Sequence, residues 1–165
     1  GHETVSDAMA APGFGALIER FMDQEVAPTL SPPNDFDLAS YAAELRARFR
    51  NRALAHRTWQ IAMDGSQKIP QRWLGTLRAR IETGQSCARL ALGLAAWMQY
   101  VTGFDLEGAR IDVRDPLAER FAALAMAHPE SASYAAAMLA VREVFPEDLV
   151  TPSLVAAIGA ALKRL

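Results

Sequence analysis

The chain has 165 residues, of which 51% are hydrophobic and 22% are charged, and its formal net charge is −2 at pH 7. A chain of this length and composition suits one globular domain and excludes a disordered or fibrous protein. Because the net charge is small and negative, no overall field would draw the chain to nucleic acid or to an anionic membrane, so we expect neither as a partner.

The cysteine content and the apolar segments bear on the cellular compartment of the chain. Cys87 is the only cysteine and cannot form an internal disulfide, and no cysteine and histidine cluster has the spacing of a zinc site. We therefore expect a reducing, cytoplasmic location and no metal. No secretory signal is predicted, because the N-terminus lacks a basic stretch followed by an apolar one. The most apolar segment, residues 90–101, is too short to span a bilayer and is typical of a buried helix.

Helical periodicity runs through almost the whole chain. Apolar residues recur at every third and fourth position, which predicts an all-α protein with about eight or nine helices in a single domain. The predicted helices cover residues 14–22, 38–49 and 54–62, a segment that begins between 66 and 70 and stops near 84, and then residues 86–102, 116–128, 132–145 and 152–165. Residues 104–115 are expected to form a loop in which only 110–114 could be a short strand.

Capping residues and a proline set two of these helix starts. Asp35 or Asp37 can cap the helix that begins near residue 38, and Ser66 can cap the helix after the polar break. Proline is tolerated in the first turn of a helix, where its missing N–H has no partner to lose. Pro70 therefore places the start of that helix between residues 66 and 70.

The polar break itself, residues 64–68 (DGSQK), contains more than a turn needs. Capping accounts for Ser66. It does not account for Lys68, because a cation in the first helical turn opposes the helix macrodipole. Lys68 is better explained if an anionic or polar ligand lies opposite it.

Other sequence features admit more than one interpretation. His56 and Gln60 lie four residues apart and could share a helix face, so His56 could act as a general base, although a structural histidine is the simpler interpretation. The arginines between residues 46 and 57 would spread around a helix and form no stripe for RNA. Residues 13–15 (GFG) lack the third glycine and the preceding strand of a dinucleotide site.

Several blocks of the sequence resemble the C-terminal domain of the mannitol dehydrogenase family, whose members are long-chain polyol dehydrogenases that use a nicotinamide cofactor. The blocks are residues 23–30 (DQEVAPTL), Arg48-Phe49 with Asn51, residues 56–72 (HRTWQIAMDGSQKIPQR) and residues 115–118 (DPLA). The resemblance covers nearly the whole chain and is most specific in residues 56–72. Within the family, the amino-acid sequence of that block is most similar to that of the fructuronate reductases, also known as D-mannonate oxidoreductases.

The resemblance implies a domain organisation and an activity. Residues 1–165 would form the C-terminal helical substrate domain, similar to that of mannitol dehydrogenase and 6-phosphogluconate dehydrogenase-like proteins. An N-terminal Rossmann domain, which this sequence does not match, would bind NAD. The two together would interconvert D-fructuronate and D-mannonate, and the helical part alone would be inactive. The family's catalytic lysine, in a K-x4-N-x2-H arrangement, lies upstream of the matching region, so no catalytic residue is expected here.

The resemblance also implies a substrate contact for Lys68. Eight positions earlier, mannitol-type members carry a substrate-binding arginine where this sequence has Gln60, and this departure favours a sugar acid over mannitol. Ser66 and Asp64 belong to the same turn as Lys68, and the charge of Arg57 makes it a second candidate for a carboxylate. The candidate substrate-binding residues are therefore Lys68, Gln60, Arg57, Ser66 and Asp64.

Two other classes of function remain open at this stage. A freestanding all-α module could bind a protein partner in its apolar grooves. A small all-α hydrolase could use His56 and Ser66, although the sequence offers no partner for an oxyanion hole. In the preferred interpretation, an apolar face left bare by the other domain would favour dimer contacts.

Overall fold

The computed structural model describes residues 2–165, and the regular elements in this range are all helical. The all-α class predicted from periodicity is therefore confirmed. The α-helices are α1 (Val5–Ala10), α2 (Phe14–Phe21), α3 (Leu38–Arg50), α4 (Thr58–Ala62), α5 (Gly65–Arg72), α6 (Leu74–Glu82), α7 (Ala88–Tyr100), α8 (Ala118–Ala127), α9 (Ser131–Leu139) and α10 (Pro152–Leu162). Short π or 3-10 segments cover Met22–Val26, Ala27–Thr29, Arg52–Leu54 and Glu147–Leu149.

The chain divides into two compact units. The first unit ends at Ala62 and contains α1 to α4, and the second unit runs from Met63 to Leu165 and contains α5 to α10. Across the described residues, the helices are too short or too polar to cross a membrane.

In the first unit, α1 packs against α2 and α3. Asp37 caps α3 by accepting a hydrogen bond from the Ser40 N–H at 3.0 Å, which confirms one of the two predicted caps. The N-terminal segment pairs with the segment before α4, since the Val5 N–H donates to the His56 carbonyl at 2.9 Å and the Thr58 N–H donates to the Glu3 carbonyl at 3.0 Å. These bonds fix where α4 begins.

The core of the second unit is built around α7, which packs against α9 and α10. Trp97 of α7 lies edge-on to Phe121 and Phe145, with ring centroids 5.3 and 6.2 Å apart. Leu94 and Met98, on the same helix, are fully buried. The most apolar stretch of the sequence is therefore a buried helix, as predicted.

The helix after the polar break differs from its prediction. It begins at Gly65, and Ser66 is its second residue, so Ser66 is not the N-cap. Pro70 consequently lies inside α5 and not in the first turn. The reason is that a carboxylate from elsewhere in the chain caps the helix, as described below. The helix ends at Arg72, and a separate helix, α6, continues to Glu82.

Other elements also differ from their predictions. The predicted strand at 110–114 reduces to one isolated bridge between Phe104 and Arg110. The helix predicted for 132–145 ends at Leu139, after which turns bury the following apolar residues, and the Phe145 N–H donates to the Val141 carbonyl at 2.9 Å. The helix predicted from residue 116 begins at Ala118. The sequence patterns also missed α1.

Candidate functional site

The polar break forms a tight turn that starts α5. Asp64 adopts the left-handed conformation with φ of 54°, which aspartate tolerates better than most residues. Its carbonyl accepts hydrogen bonds from the Gln67 and Lys68 N–H groups, both at 3.0 Å. Asp64 is therefore the pivot at which the chain enters α5.

Gly65 is required at the next position because Trp97 packs directly on it. A Cβ at residue 65 would lie 2.8 Å from Cδ1 of Trp97, and closer still to Nε1, which is nearer than side chains approach one another. Trp97 Nε1 is buried and has no hydrogen-bond partner within residues 2–165. The indole ring therefore holds the turn against the core by close packing and not by a hydrogen bond.

Two consecutive residues of the loop before α8 hold the turn at both of its ends. The Asp64 N–H donates to the Arg114 carbonyl at 2.9 Å, and the Ser66 N–H donates to Oδ2 of Asp115 at 2.8 Å. The other carboxylate oxygen of Asp115 accepts from the Leu117 N–H at 2.9 Å, just before α8. A carboxylate at a helix N-terminus is favoured by the macrodipole, so Asp115 supplies the side-chain cap that Asp64, the N-cap residue of α5, does not make.

Lys68 lies in the first turn of α5 and is half-buried. Its ammonium group donates to the Met63 carbonyl at 2.5 Å, so the side chain folds back toward the start of the turn. This carbonyl offsets the unfavourable position of a cation near the helix N-terminus.

Ser66 is buried, and the face of α5 that carries it borders a cavity. The cavity has a volume of about 410 Å³, and its walls comprise Ser66, Gln67, Pro70, Gln71, Pro116, Leu117 and Glu143. Amide and carboxylate side chains in such a cavity are able to hydrogen-bond hydroxyl groups. Lys68 is not among the lining residues. Among residues 2–165, no group of three or more histidine, cysteine, aspartate or glutamate side chains is arranged to hold a metal ion.

Arg57 and Gln60 belong to the first unit, whereas Asp64, Ser66 and Lys68 belong to the second. Arg57 is exposed and forms an ion pair with Glu3 at 3.2 Å. Gln60 lies exposed on α4. The structure thus brings together three of the five candidate residues in one turn, and the substrate roles of all five stay predictions.

His56 does not have the position that the sequence suggested. It precedes α4, which begins at Thr58, so His56 and Gln60 do not share one helix. The local pattern failed because the backbone of His56 pairs with Val5, a residue far away in the sequence.

Sequence reasoning missed the residues that support the turn. No local sequence pattern singled out Asp115 or Trp97 as a support of the turn. The Asp115 contact joins positions 49 residues apart, and no local pattern indicates such a contact. The sole available signal was that 115–118 is one of the blocks carrying the family resemblance.

Comparisons with known proteins agree with that resemblance. The chain matches the family described as the mannitol dehydrogenase C-terminal domain over residues 1–165. It is 43% identical to a D-mannonate oxidoreductase of Escherichia coli (strain K12), covering 100% of this chain and 34% of that protein. It is 32% identical to a mannitol 2-dehydrogenase of Phaeosphaeria nodorum, covering 90% of this chain and 25% of that protein.

A solved structure gives the same result for the fold. The Pseudomonas fluorescens mannitol 2-dehydrogenase, in a ternary complex with NAD and D-mannitol, superposes with a TM-score of 0.91 at 33% identity. The match covers 100% of this chain and 33% of that one. The chain therefore spans about a third of the length of the D-mannonate oxidoreductase and of the solved mannitol 2-dehydrogenase.

Proposed function

Because the chain belongs to the mannitol dehydrogenase family, we propose that it forms the helical substrate-binding domain of an NAD-dependent oxidoreductase that interconverts D-fructuronate and D-mannonate. In this proposal the chain binds and orients the sugar acid, and an N-terminal Rossmann domain of the same polypeptide binds the cofactor. The helical domain alone would be inactive. The cytoplasm suits this role, since Cys87, the one cysteine, forms no disulfide.

The position of Lys68 is the observation that carries the proposal. The side chain starts from a turn that is held by Arg114, Asp115 and the Trp97 ring. A cation on a rigid turn loses little conformational entropy when it contacts a ligand, so it can orient an open-chain hydroxy acid. Lys68 is also the residue that the family resemblance assigns to substrate contact.

The choice of sugar acid rests on two further points. Identity to a D-mannonate oxidoreductase is 43% over the whole chain, whereas identity to the mannitol 2-dehydrogenases of P. nodorum and P. fluorescens is 32% and 33%. In addition, Gln60 stands where mannitol-type members carry an arginine. We propose that the carboxylate of D-mannonate is bound by Lys68, with the Asp64–Ser66 turn contributing to its hydroxyl groups. Arg57 is a separate candidate for the carboxylate, and Gln60 is a separate candidate for a hydroxyl group.

The residues of this chain do not fit NAD. Such cofactors bind where a strand meets a helix across a glycine-rich turn, and the described residues contain only helices and two isolated bridges. We therefore assign NAD to the N-terminal domain, where the nicotinamide would exchange the hydride. The proton acceptor for the alcohol would be the upstream lysine of the family. The part played by this chain is limited to binding and orienting the sugar acid and to covering it from water.

The proposal is tested on the complete enzyme that contains this chain. Oxidation is measured with NAD+ and either D-mannonate or D-mannitol, and the 165-residue chain alone is assayed in parallel. We expect kcat/KM for D-mannonate to exceed that for D-mannitol by about tenfold to a hundredfold, since a matched charged contact contributes about 1.5–3 kcal/mol. No turnover is expected from the chain alone. Equal use of the two substrates, or preference for D-mannitol, would reject the sugar-acid assignment.

A further inference from the structure

Asp115 makes a contact that the turn before α8 does not require. That turn uses one carboxylate oxygen, Oδ1, which accepts from the Leu117 N–H at 2.9 Å. The second oxygen, Oδ2, accepts from the Ser66 N–H at 2.8 Å, 49 positions earlier in the chain. One side chain therefore joins the segment before α8 to the first turn of α5.

The neighbouring backbone contact strengthens this link. The Arg114 carbonyl accepts from the Asp64 N–H at 2.9 Å, so two adjacent residues hold the two sides of Gly65. Trp97 closes the turn from the core side. The turn therefore cannot move without breaking the charge-assisted hydrogen bond from the Ser66 N–H to Asp115 or opening the packed contact with Trp97.

We propose that Asp115 is the positioning residue for Lys68. This inference rests on the proposed function, in which Lys68 contacts the sugar acid. Lys68 lies two residues after Ser66 in the same helical turn, and its ammonium group bonds to the Met63 carbonyl at the other end of that turn. When Asp115 fixes the Ser66 N–H, it fixes the backbone that sets the ammonium position. In this proposal Asp115 acts through the backbone of the turn and does not itself contact the sugar acid.

The test uses variants of the complete enzyme. Asp115→Asn keeps the size of the side chain but changes one acceptor into a donor, so one of the two N–H groups loses its partner. Asp115→Ser keeps an oxygen close enough to accept from the Leu117 N–H, on a side chain too short to reach the Ser66 N–H. Thr151→Val is the matched control, because it removes the cap of α10, where the Thr151 hydroxyl accepts from the Leu154 N–H at 3.2 Å.

Each variant is measured for kcat and KM with D-mannonate, for NADH affinity and for thermal stability. We expect both Asp115 variants to lower kcat/KM by about tenfold, chiefly through KM, and to leave NADH affinity within twofold, because a misplaced cation loses about one charged contact. Thr151→Val should lower the melting temperature about as much as the Asp115 variants do, but it should not lower kcat/KM. In a Lys68→Ala background, Asp115→Asn should change kcat/KM by less than about twofold, because its effect passes through Lys68.

The results separate the two claims. If Lys68→Ala leaves kcat/KM for D-mannonate unchanged, the proposed substrate site is wrong, and the role of Asp115 is wrong with it. If Lys68→Ala lowers kcat/KM but Asp115→Asn behaves like Thr151→Val, only the positioning role is overturned. The positioning role is also overturned if the loss of kcat/KM in the double variant of Lys68→Ala with Asp115→Asn equals the product of the two single losses. If neither Asp115 variant folds while Thr151→Val does fold, Asp115 is required for folding itself, and the proposal is overturned.

Discussion

The indole ring of Trp97 occupies the space that a side chain on residue 65 would need. This one contact explains why glycine follows Asp64 in the polar turn, and it ties the turn to the most buried helix of the second unit. The edge-on contacts of Trp97 with Phe121 and Phe145 fix the ring in turn. The turn is therefore held in place by its packing against the core.

Gly65→Ala should destabilise the chain. The new Cβ would lie 2.8 Å from Cδ1 of Trp97, so either the ring or the turn must move. Overpacking of this kind costs about 1–3 kcal/mol in the free energy of unfolding, which denaturant titration of the chain would measure.

Gly75→Ala is the matched control for this substitution. Gly75 lies in α6 with nothing within 4 Å of its Cβ position, so alanine should be neutral or should stabilise by up to about 1 kcal/mol. A smaller ring, in the double variant Gly65→Ala with Trp97→Phe, should recover part of the loss relative to Trp97→Phe alone. If Gly65→Ala is as harmless as Gly75→Ala, the packing account of the turn is wrong.

Tyr134 should make the stability of the chain depend on alkaline pH. Its hydroxyl donates to the Met98 carbonyl at 2.8 Å in the core, and burial raises the pKa of Tyr134 well above its ordinary value of 10.0. Because the folded pKa is the higher one, the stabilisation is complete below the unfolded pKa and is lost as the pH rises from there toward the folded pKa.

Tyr134→Phe tests this dependence. At pH 7 the variant should lose about 1 kcal/mol, because the Met98 carbonyl loses its donor. Between about pH 10 and pH 12 the wild-type chain should lose this advantage and become the less stable of the two. Tyr41→Phe, which changes an exposed tyrosine, is the control and should run parallel to the wild type. A constant difference between Tyr134→Phe and wild type over this range would contradict the account.

Arg57 is expected to serve the carboxylate of the substrate and not the fold. Its ion pair with Glu3 is exposed on both sides, so Arg57→Gln should change the free energy of unfolding by less than about 1 kcal/mol. In the complete enzyme, kcat/KM for D-mannonate should fall by about threefold to tenfold, since a partly exposed charged contact is lost. Turnover of the neutral D-mannitol should not change.

Glu3→Gln is the control, because it removes the same ion pair and keeps the cation. It should leave kcat/KM for D-mannonate unchanged or slightly raised. Equal losses with the acid and the polyol would point to a positional effect of Arg57 and would refute its role as a carboxylate partner.

Much of the fold follows from local patterns in the sequence. Periodicity gives the all-α class and the buried helix α7. The helix ends predicted near residues 84 and 102 hold because Gly84 and Gly103 adopt positive φ, 65° and 85°, after α6 and α7. The cap at Asp37 is likewise a local interaction between residues three apart.

The candidate site depends on contacts that local patterns do not contain. Pro70 suggested a later helix start, yet the helix begins at Gly65 because Asp115 supplies its cap from 49 residues away. The requirement for glycine at 65 likewise comes from Trp97, a residue of another helix. The sequence therefore singled out the turn as a candidate site, whereas only the three-dimensional structure identified what holds the turn.

The central claim is that Lys68 binds the sugar acid, and a comparison of two lysine substitutions tests it most directly. The chain has two lysines, Lys68 and Lys163, and the second is exposed near the C-terminus. In the complete enzyme, Lys68→Ala should lower kcat/KM for D-mannonate by about tenfold to a hundredfold, the loss of one charged hydrogen bond, without changing NADH affinity. Lys163→Ala should have no effect. Equal kcat/KM in the two variants would contradict the claim.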